Sequence, residues 1–509
     1  MTADIKQMGW PKSLAPSFSD LFFVFITVWM FMTTSDGWSR LLLDADTAFH
    51  TRIGQHILST WSVPHTDLFA FSKVAQPWYA FEWLSETALA CAYNAASWKG
   101  VALLAGVSIA LYITMLLKFI MWKGANGLIA MVITLLVATG TSIHFHARPH
   151  LWTLLFLTAS IWLLEYNRRD GGRLIWVLIP MTALWANIHG GFFIFFVLLA
   201  LRIFGCVGES HFWPESRHER RSEAVQLVWV GVACLCASLL NPYGYRLHEH
   251  ILETLKSKWI IANVSEFQSP SFNSEPMYDV MILLFAGLVS IAPLMRKKRL
   301  VEPLWILFLA YASLTSVRHA TIFLLVVAPI VAVELSQWWE RVAEGKSKAS
   351  LMGMLNDVSR SLSAGMPGTS LLIPMAIIAL ALAPGLQWPT VFPEQWVPVK
   401  FIETHHDLLA ASRVFASDQI ADYLVFRNYP RQRVFLDSRH NYYGEEIGND
   451  YIAINSGSPQ WRSLLDKYKF DLILCESDAP VGTLVQATGG WRIVDRTEKF
   501  ILFARDRSG

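Results

Sequence analysis

One stretch gathers more ionisable side chains than the apolar chain around it: Asp44-Ala-Asp46-Thr-Ala-Phe-His50-Thr-Arg52-Ile-Gly54, then Pro64-His65-Thr-Asp67, Trp78 and Phe81-Glu82-Trp83-Leu84. Phe49, Ile53, Ile57 and Leu58 recur at helical spacing, and His50 and His56 fall off that stripe. A surface helix is expected there, with Asp44 and Asp46 at its N-terminus, where free amides and the helix dipole favour a carboxylate. Capping explains one of the two. It leaves Asp46, His50, Asp67 and Glu82 together beside a bilayer, where a carboxylate gains a raised pKa or binds a cation. Either property suits a general base or a metal-assisted phosphate site.

Three further segments carry polar groups in apolar surroundings. In His144-Phe-His146-Ala-Arg148-Pro149-His150, an arginine and three histidines suit a phosphate or pyrophosphate, the arginine forming a bidentate contact; a polar helix break at Pro149 is the plainer alternative. Trp185-Ala-Asn187-Ile-His189-Gly190-Gly191 reads as a tight turn between spans, which explains the glycines and leaves Asn187 and His189 as pocket residues. Arg318-His319 lies between two spans with almost no loop, so Arg318 meets an internal carboxylate or a lipid-linked phosphate. The loop after Asn241-Pro-Tyr-Gly244, with His248, Glu249, His250, Glu253 and Glu266, reads mainly as a surface amphipathic helix. Near the C-terminus, Val434-Phe-Leu-Asp437-Ser-Arg439 ends a strand-like run; Asp437 and Arg439 either reach a cleft or form a structural pair. No Walker motif, G-x-G-x-x-G after a strand, G-x-S-x-G or H-E-x-x-H is present, which excludes the nucleotide-driven, serine-hydrolase and zincin chemistries that need them.

The elements that must hold these residues are membrane helices. Of 509 residues, 53% are hydrophobic and 16% charged, against about 25% charged in ordinary soluble chains. Apolar stretches of bilayer length recur at 19–37, 82–98, 101–121, 126–143, 150–165, 174–189, 191–207, 223–240, 278–295, 301–317, 320–339 and 369–388. Basic clusters at Lys118/Lys123, Arg168/Arg169/Arg173, Arg217/Arg220/Arg221, Arg296–Arg299 and Arg341/Lys346/Lys348 mark the cytoplasmic side. Their alternation puts everything after Gly385 outside. If the loop 39–81 is also outside, 82–98 and 101–121 together allow one crossing. The segment 82–98, with Glu82, Glu86 and Asn94, is then a half-buried helix packed on protein, and about eleven spans remain, with the N-terminus inside. A count of twelve or thirteen is the alternative, the N-terminus lying outside when there are twelve. The polar first twenty residues and the lack of a small-residue cleavage site make the run at Leu21 a retained span. The five cysteines suggest neither a disulfide framework nor a zinc site. Residues 389–509 return to ordinary charge density, entered through Pro384, Pro389, Pro393 and Pro398. Strand-like runs at Arg413–Ala416, Arg433–Leu436, Asp471–Cys475 and Phe500–Ala504 alternate with helices at Asp418–Phe426 and Ser458–Tyr468, so a small α/β domain is expected.

The motifs Asp44-x-Asp46-Thr-x-x-His50-x-x-x-Gly54, Pro64-x-x-Asp67, Trp78-x-x-x-Glu82-Trp83-Leu84, Arg148-Pro149-His150, Trp185-x-Asn187-x-His189-Gly190 and Phe435-Leu-Asp437-x-Arg439 resemble a group of uncharacterised bacterial polytopic membrane proteins. That group is similar in layout to GT-C-type glycosyltransferases, which transfer a sugar from a polyprenyl-phosphate or pyrophosphate donor. The resemblance implies a GT-C-like membrane domain over 1–388, an extracytoplasmic α/β domain over 389–509, and a place in the bacterial cytoplasmic membrane. It implies Asp44, Asp46, His50 and Glu82 as catalytic, Asp44 or Asp46 acting as base or as ligand of a divalent cation (Mg or Mn). Asp67, Trp78, His146, Arg148, His150, Asn187, His189, Arg318, Asp437 and Arg439 become substrate-binding, with Arg318 on the donor phosphate. The second loop lacks the carboxylate that many such enzymes carry there. The partners implied are a polyprenyl-phosphate-linked sugar and a glycan, lipid or protein acceptor, with no nucleic acid. A transporter or flippase for lipid-linked sugars, or a non-catalytic assembly protein, is the rival reading.

Overall fold

The computed structural model of the chain describes residues 15–32, 37–347, 349–365, 368–383 and 388–506. Pro384 and Lys348, named above, and the start of the chain through residue 14 lie outside them. Helix α1 (Phe18–Met32) leads through a short 3-10 segment to the surface helix α2 (Asp46–Thr60). Apolar helices follow: α3 (Trp83–Trp122), α4 (Gly127–Gly140), α5 (His150–Asp170), α6 (Leu178–Ala186), α7 (Phe193–Phe212) and α8 (Arg217–Ser238). Two shorter helices, α9 (Arg246–Lys256) and α10 (Lys258–Asn263), precede α11 (Glu275–Arg296), α12 (Val301–Thr315), α13 (Ala320–Ala343), α14 (Leu351–Ala364) and α15 (Leu372–Leu382).

Among the described residues, five helices are long and apolar enough to cross a membrane, with four shorter apolar ones at Phe18–Met30, Leu174–Ala186, Val301–Thr315 and Leu372–Leu382. The sequence expectation of about eleven also counted α5 and α8, whose last and first turns respectively are charged.

The two apolar stretches expected at 82–98 and 101–121 form one helix of 40 residues, broken by non-helical backbone at Ala96 and Ser97. A straight helix of that length would reach about 60 Å, twice the hydrocarbon thickness of a bilayer. The break lets the first arm, through Asn94, lie against α2 while the second arm runs into the bundle. Gly54 decides how close α2 comes. A Cβ there would sit 1.9 Å from the carbonyl oxygen of Glu86 and 2.8 Å from Cβ of Ala90. Only a hydrogen fits, so the backbones touch and His50, one turn earlier on α2, is brought onto the acidic face of α3. At its start, the N–H of Asp46 is accepted by Asp44 Oδ1 (3.0 Å). At its end, Trp61 is left-handed and donates to the Ile57 carbonyl.

The C-terminal part carries a four-stranded sheet of β1 (Val414–Phe415), β2 (Leu472–Glu476), β3 (Trp491–Arg496) and β4 (Phe500–Arg505), in the order β1-β2-β4-β3. Strand β1 is parallel to β2, and the other pairs are antiparallel. Helices at Asp418–Asn428, His440–Asn455, Trp461–Lys467 and Pro480–Thr488 complete it. The run Arg433–Leu436 is no strand of this sheet. It pairs with the loop that follows α2: Val434 N–H donates to the Phe69 carbonyl (2.8 Å) and Phe71 N–H to that of Val434 (2.9 Å). Its Phe435 packs on Phe71 of that loop on one side and on Phe415 of β1 and Phe470 on the other, so it is buried without joining the sheet. Strand β3, by contrast, has a largely exposed pattern, so no apolar alternation announced it.

A buried arginine fastens the same junction. Arg439 pairs with Asp437 (2.7 Å) and with Asp67 (2.7 Å). Its guanidinium lies 4.8 Å from the ring centre of Phe49, 4.5 Å from that of Trp78 and 4.9 Å from that of Tyr442. Tyr443 donates to Asp437 (2.7 Å). Asp67 Oδ2 also accepts from the backbone of Phe69 and Ala70. These groups are enclosed. Asp67, Trp78, Asp437 and Arg439, assigned to substrate in the sequence, instead clamp the C-terminal segment to the first loop.

Two outcomes follow from this packing. Gly54→Val should separate α2 from α3 and abolish the function of the site even if the protein still accumulates in membranes; activity beside expression level checks it. Arg439→Met leaves two buried carboxylates unpaired and should cost about 3–5 kcal/mol, read as a fall in the thermal unfolding midpoint.

Candidate functional site

The first-loop acids meet around one histidine. His50 Nδ1 contacts Glu86 Oε1 at 3.0 Å, while Nε2 faces Asp46 at 3.3 Å and Glu82 at 3.5 Å. Asp46 and His50 stand one turn apart on α2. Glu82, at the start of α3, and Glu86 are likewise one turn apart, so close packing of the two helices places all four together. Burial opposes charge on His50, but Asp46, Glu86 and Glu82 outweigh it and raise its pKa well above the ordinary value.

Arg148 closes the cluster from the second loop. It reaches Asp44 (2.8 Å), Asp46 (2.8 Å) and Glu266 (2.9 Å). Burial works to raise the carboxyls of Asp44 and Asp46; Arg148 overrides it for Asp44, and His50 with Arg148 for Asp46, holding both well below the ordinary range. With three carboxylates on its guanidinium, Arg148 neutralises the acids, a role that its reading as a phosphate ligand did not include. His146 lies 3.6 Å from Asp44. His150 donates from Nε2 to the His144 carbonyl (2.7 Å) and so shapes its own loop.

Glu82 differs from the other acids. No arginine pairs with it among the described residues, and its side chain is 15% exposed against 6% for Asp46 and 2% for Glu86. Burial, aided by Glu86 and Asp46 and opposed by His50, pushes its carboxyl up to about 7. On its other side stands His189, whose Nε2 is 3.5 Å from Glu82 Oε1. Nδ1 of His189 accepts the Gly191 N–H (3.0 Å), which assigns the hydrogen to Nε2. Burial, Arg318 and Arg148 bring its pKa down to about 3, so the ring is neutral. Asn187 is fully used in structure. It accepts from Trp83 Nε1 (2.8 Å) and donates to the Ala183 and Leu240 carbonyls (2.8 Å each).

Arg318 stands at the edge of this group. It lies 4.5 Å over the ring of Phe267 and has no ion pair among the described residues. Its charge acts on His189 and Glu266. The two loops are joined, since Ser316 Oγ donates to the Glu266 carbonyl (2.9 Å) and Val317 N–H to that of Gln268 (2.9 Å).

Asp44 and Asp46 do not present an open pair to a divalent cation, because Arg148 already occupies both. A tighter donor set is one ligand atom each of His50, Glu82 and Glu86, all within 4.8 Å of one another. Oε2 of Glu86 is buried without a hydrogen-bond partner, and an imidazole with two carboxylates is chemistry that suits such an ion.

Sequence reasoning missed Glu86 as a site residue, although its spacing of four from Glu82 was the available signal. It also left out Glu266, one of several charged residues in its loop. Ser438 had no signal beyond lying between Asp437 and Arg439, yet its hydroxyl donates to Asp46 (2.6 Å). Its Oγ is also 3.2 Å from Asp422 Oδ1. Burial and the neighbouring Asp46 and Asp437 push the Asp422 carboxyl well above the ordinary range.

No protein-family model and no curated protein sequence matches the chain. Among solved structures, the archaeal oligosaccharyltransferase AglB from Archaeoglobus fulgidus, in complex with an inhibitory peptide and a dolichol-phosphate, is similar with a TM-score of 0.56 and 11% identity, over 96% of this chain and 74% of that one. The Archaeoglobus fulgidus oligosaccharyltransferase in the apo form gives the same values. ArnT from Cupriavidus metallidurans bound to undecaprenyl phosphate is similar at a TM-score of 0.46 and 12% identity, over 96% of this chain and 98% of that one. The first two place the chain by fold: it is a helical membrane protein that resembles the GT-C fold of polyprenyl-phosphate-dependent glycosyltransferases.

Proposed function

We propose that this protein is a membrane glycosyltransferase that moves a sugar from a polyprenyl-phosphate donor to a glycan, lipid or protein acceptor of the cell envelope. The observation that carries the reading is the convergence of Asp46, His50, Glu82 and His189 with Arg318 beside them, at one end of an apolar helical bundle. A carrier for lipid-linked sugars would place polar groups along the spans to serve both faces. Here Asp46, His50, Glu82 and His189 converge at one end, which supports an enzyme over a transporter, flippase or assembly protein. The sidedness of the basic loops supports an extracytoplasmic site in about eleven spans of a bacterial cytoplasmic membrane.

In this proposal Glu82 is the base. Asp46 is committed to Arg148, His50 and Ser438, whereas Glu82 is the acid that is open and unpaired with arginine. The acceptor O–H gives its proton to Glu82, the acceptor oxygen bonds to the anomeric carbon, and the bond from that carbon to the phosphate oxygen breaks. The phosphate leaves on its lipid, with its charge met by Arg318. Arg148 and His50 hold the acids in position. The N–H of neutral His189 orients Glu82.

The orphaned Oε2 of Glu86 favours a second reading of the same cluster. In it His50, Glu82 and Glu86 hold a divalent ion in place of the proton on His50. Such an ion would supply electrostatic stabilisation of the leaving phosphate, and proton removal would then pass to Asp46. Chelation separates the two readings. Transfer lost on chelation and restored by Mg or Mn supports the ion, while transfer unchanged by chelation leaves Glu82 as base.

Purified protein in vesicles, given a polyprenyl-phosphate sugar and envelope acceptors, is expected to lose about 100-fold or more of its transfer rate in Glu82→Gln. Asp46→Asn should lose a comparable factor by misplacing His50. With Glu82 active only when ionised, and its pKa near 7, the wild-type rate should fall as pH drops below about 7; in Glu82→Gln that limb should vanish. Full transfer by both variants would overturn the proposal.

A further inference from the structure

At the opposite end of the bundle the charges form a different kind of site. Helix α5 starts at His150 beside the candidate site and ends at Asp170, about 30 Å away. Helix α3 ends nearby at Trp122. There the ends of α3 and α5, the start of α8 and the turn between α11 and α12 enclose a cavity of about 530 Å³. Seven cationic side chains and only two carboxylates, Glu165 and Glu215, line it.

The cations are held from behind. Arg168 pairs with Glu302 (2.9 Å) and Arg220 with Glu209 (3.0 Å), and both glutamates are 1% exposed. Arg202, wholly buried, ties Glu165 (2.7 Å) to Glu223 (2.7 Å) in the same wall. Arg168 uses one N–H group on Glu302, and Arg220 uses two, on Glu209 and Glu223, of the five that a guanidinium carries, so donors of these two remain for an anion in the cavity. At the rim, Arg169 lies 4.0 Å over the ring of Trp122, and Lys298 pairs with Glu215; Arg169 and Lys298 are each 54% exposed. Helix α7, whose Glu209 holds Arg220, exposes Phe204, Val207 and Phe212.

We propose that this cavity is a phosphate-group site, filled by the headgroup of an anionic phospholipid or by free inorganic phosphate. Carboxylates fix the cations before any ligand arrives, Glu165 holding Lys123, Glu334 holding Lys297 and Glu302 holding Arg299 as well, and the side chains that face the ligand are mostly cationic. Basic pockets between helices at a membrane surface recognise phospholipid headgroups in this way. The site lies apart from the sugar-transfer residues, so neither reading depends on the other.

Native mass spectrometry of the delipidated protein tests it, with phosphatidylglycerol, phosphatidylcholine and inorganic phosphate as probes. Phosphatidylglycerol is expected to bind in preference to phosphatidylcholine. The double variant Arg169→Gln/Lys298→Asn should weaken it about thirtyfold with the unfolding midpoint unchanged; the left-handed backbone at Lys298 tolerates asparagine. Glu215→Gln, which frees Lys298, should strengthen binding, a gain that misfolding cannot produce. Phosphate binding that follows the same variants, without preference between the lipids, supports the site with the free anion as its ligand. Binding of all three probes that ignores every variant would overturn the proposal.

Discussion

The contact between Gly54 and the carbonyl of Glu86 sets the distance on which the site depends. It brings the backbone of α2 against that of α3, and the imidazole of His50 lands among three carboxylates contributed by two helices. The arrangement is electrostatically demanding. Buried acids repel one another, and their mutual repulsion is met by one imidazolium and by Arg148. Glu82 and Glu86 have no arginine partner among the described residues; Glu82 is the more exposed of the two, and the cost that burial puts on charging it appears as its raised pKa.

Two arginines do related work for different purposes. Arg439 is sealed among aromatic rings and two aspartates and ties the C-terminal segment to the first loop. Arg148 draws the first loop, the second loop and Glu266 to one point. Ser438 links the two systems, because it sits between Asp437 and Arg439 while its hydroxyl reaches Asp46. The C-terminal part therefore contributes to the site by holding Asp46 through Ser438.

The sequence revealed what local spacing can reveal. The surface helix beginning at Asp46, the strands at 472–476 and 500–505, and the gathering of Asp46, His50 and Glu82 all follow from periodicity or from polar residues out of place in apolar surroundings. Long-range pairing was the missing information. Asp67 and Arg439 looked like binding residues because charge in an apolar chain suggests function, and only their mutual distance shows a clamp. Arg148 looked like a phosphate ligand for the same reason. The run at Arg433–Leu436 had the apolar content of a strand, but its partner was the first loop. The break at Ala96–Ser97 carries no glycine or proline of its own; it was the polar content of 82–98, with Glu82, Glu86 and Asn94, that separated this arm from the span at 101–121.

The central claim is that Arg318 and Glu82 face a common lipid-linked phosphate. The most direct measurement is an experimental structure of the protein in lipid with a non-transferable polyprenyl-phosphate sugar analogue. The phosphate is expected on Arg318 and the anomeric carbon beside the Glu82 carboxylate. A phosphate bound elsewhere, with Arg318 drawn onto Glu266 and Glu82 shut away from the ligand, would contradict it.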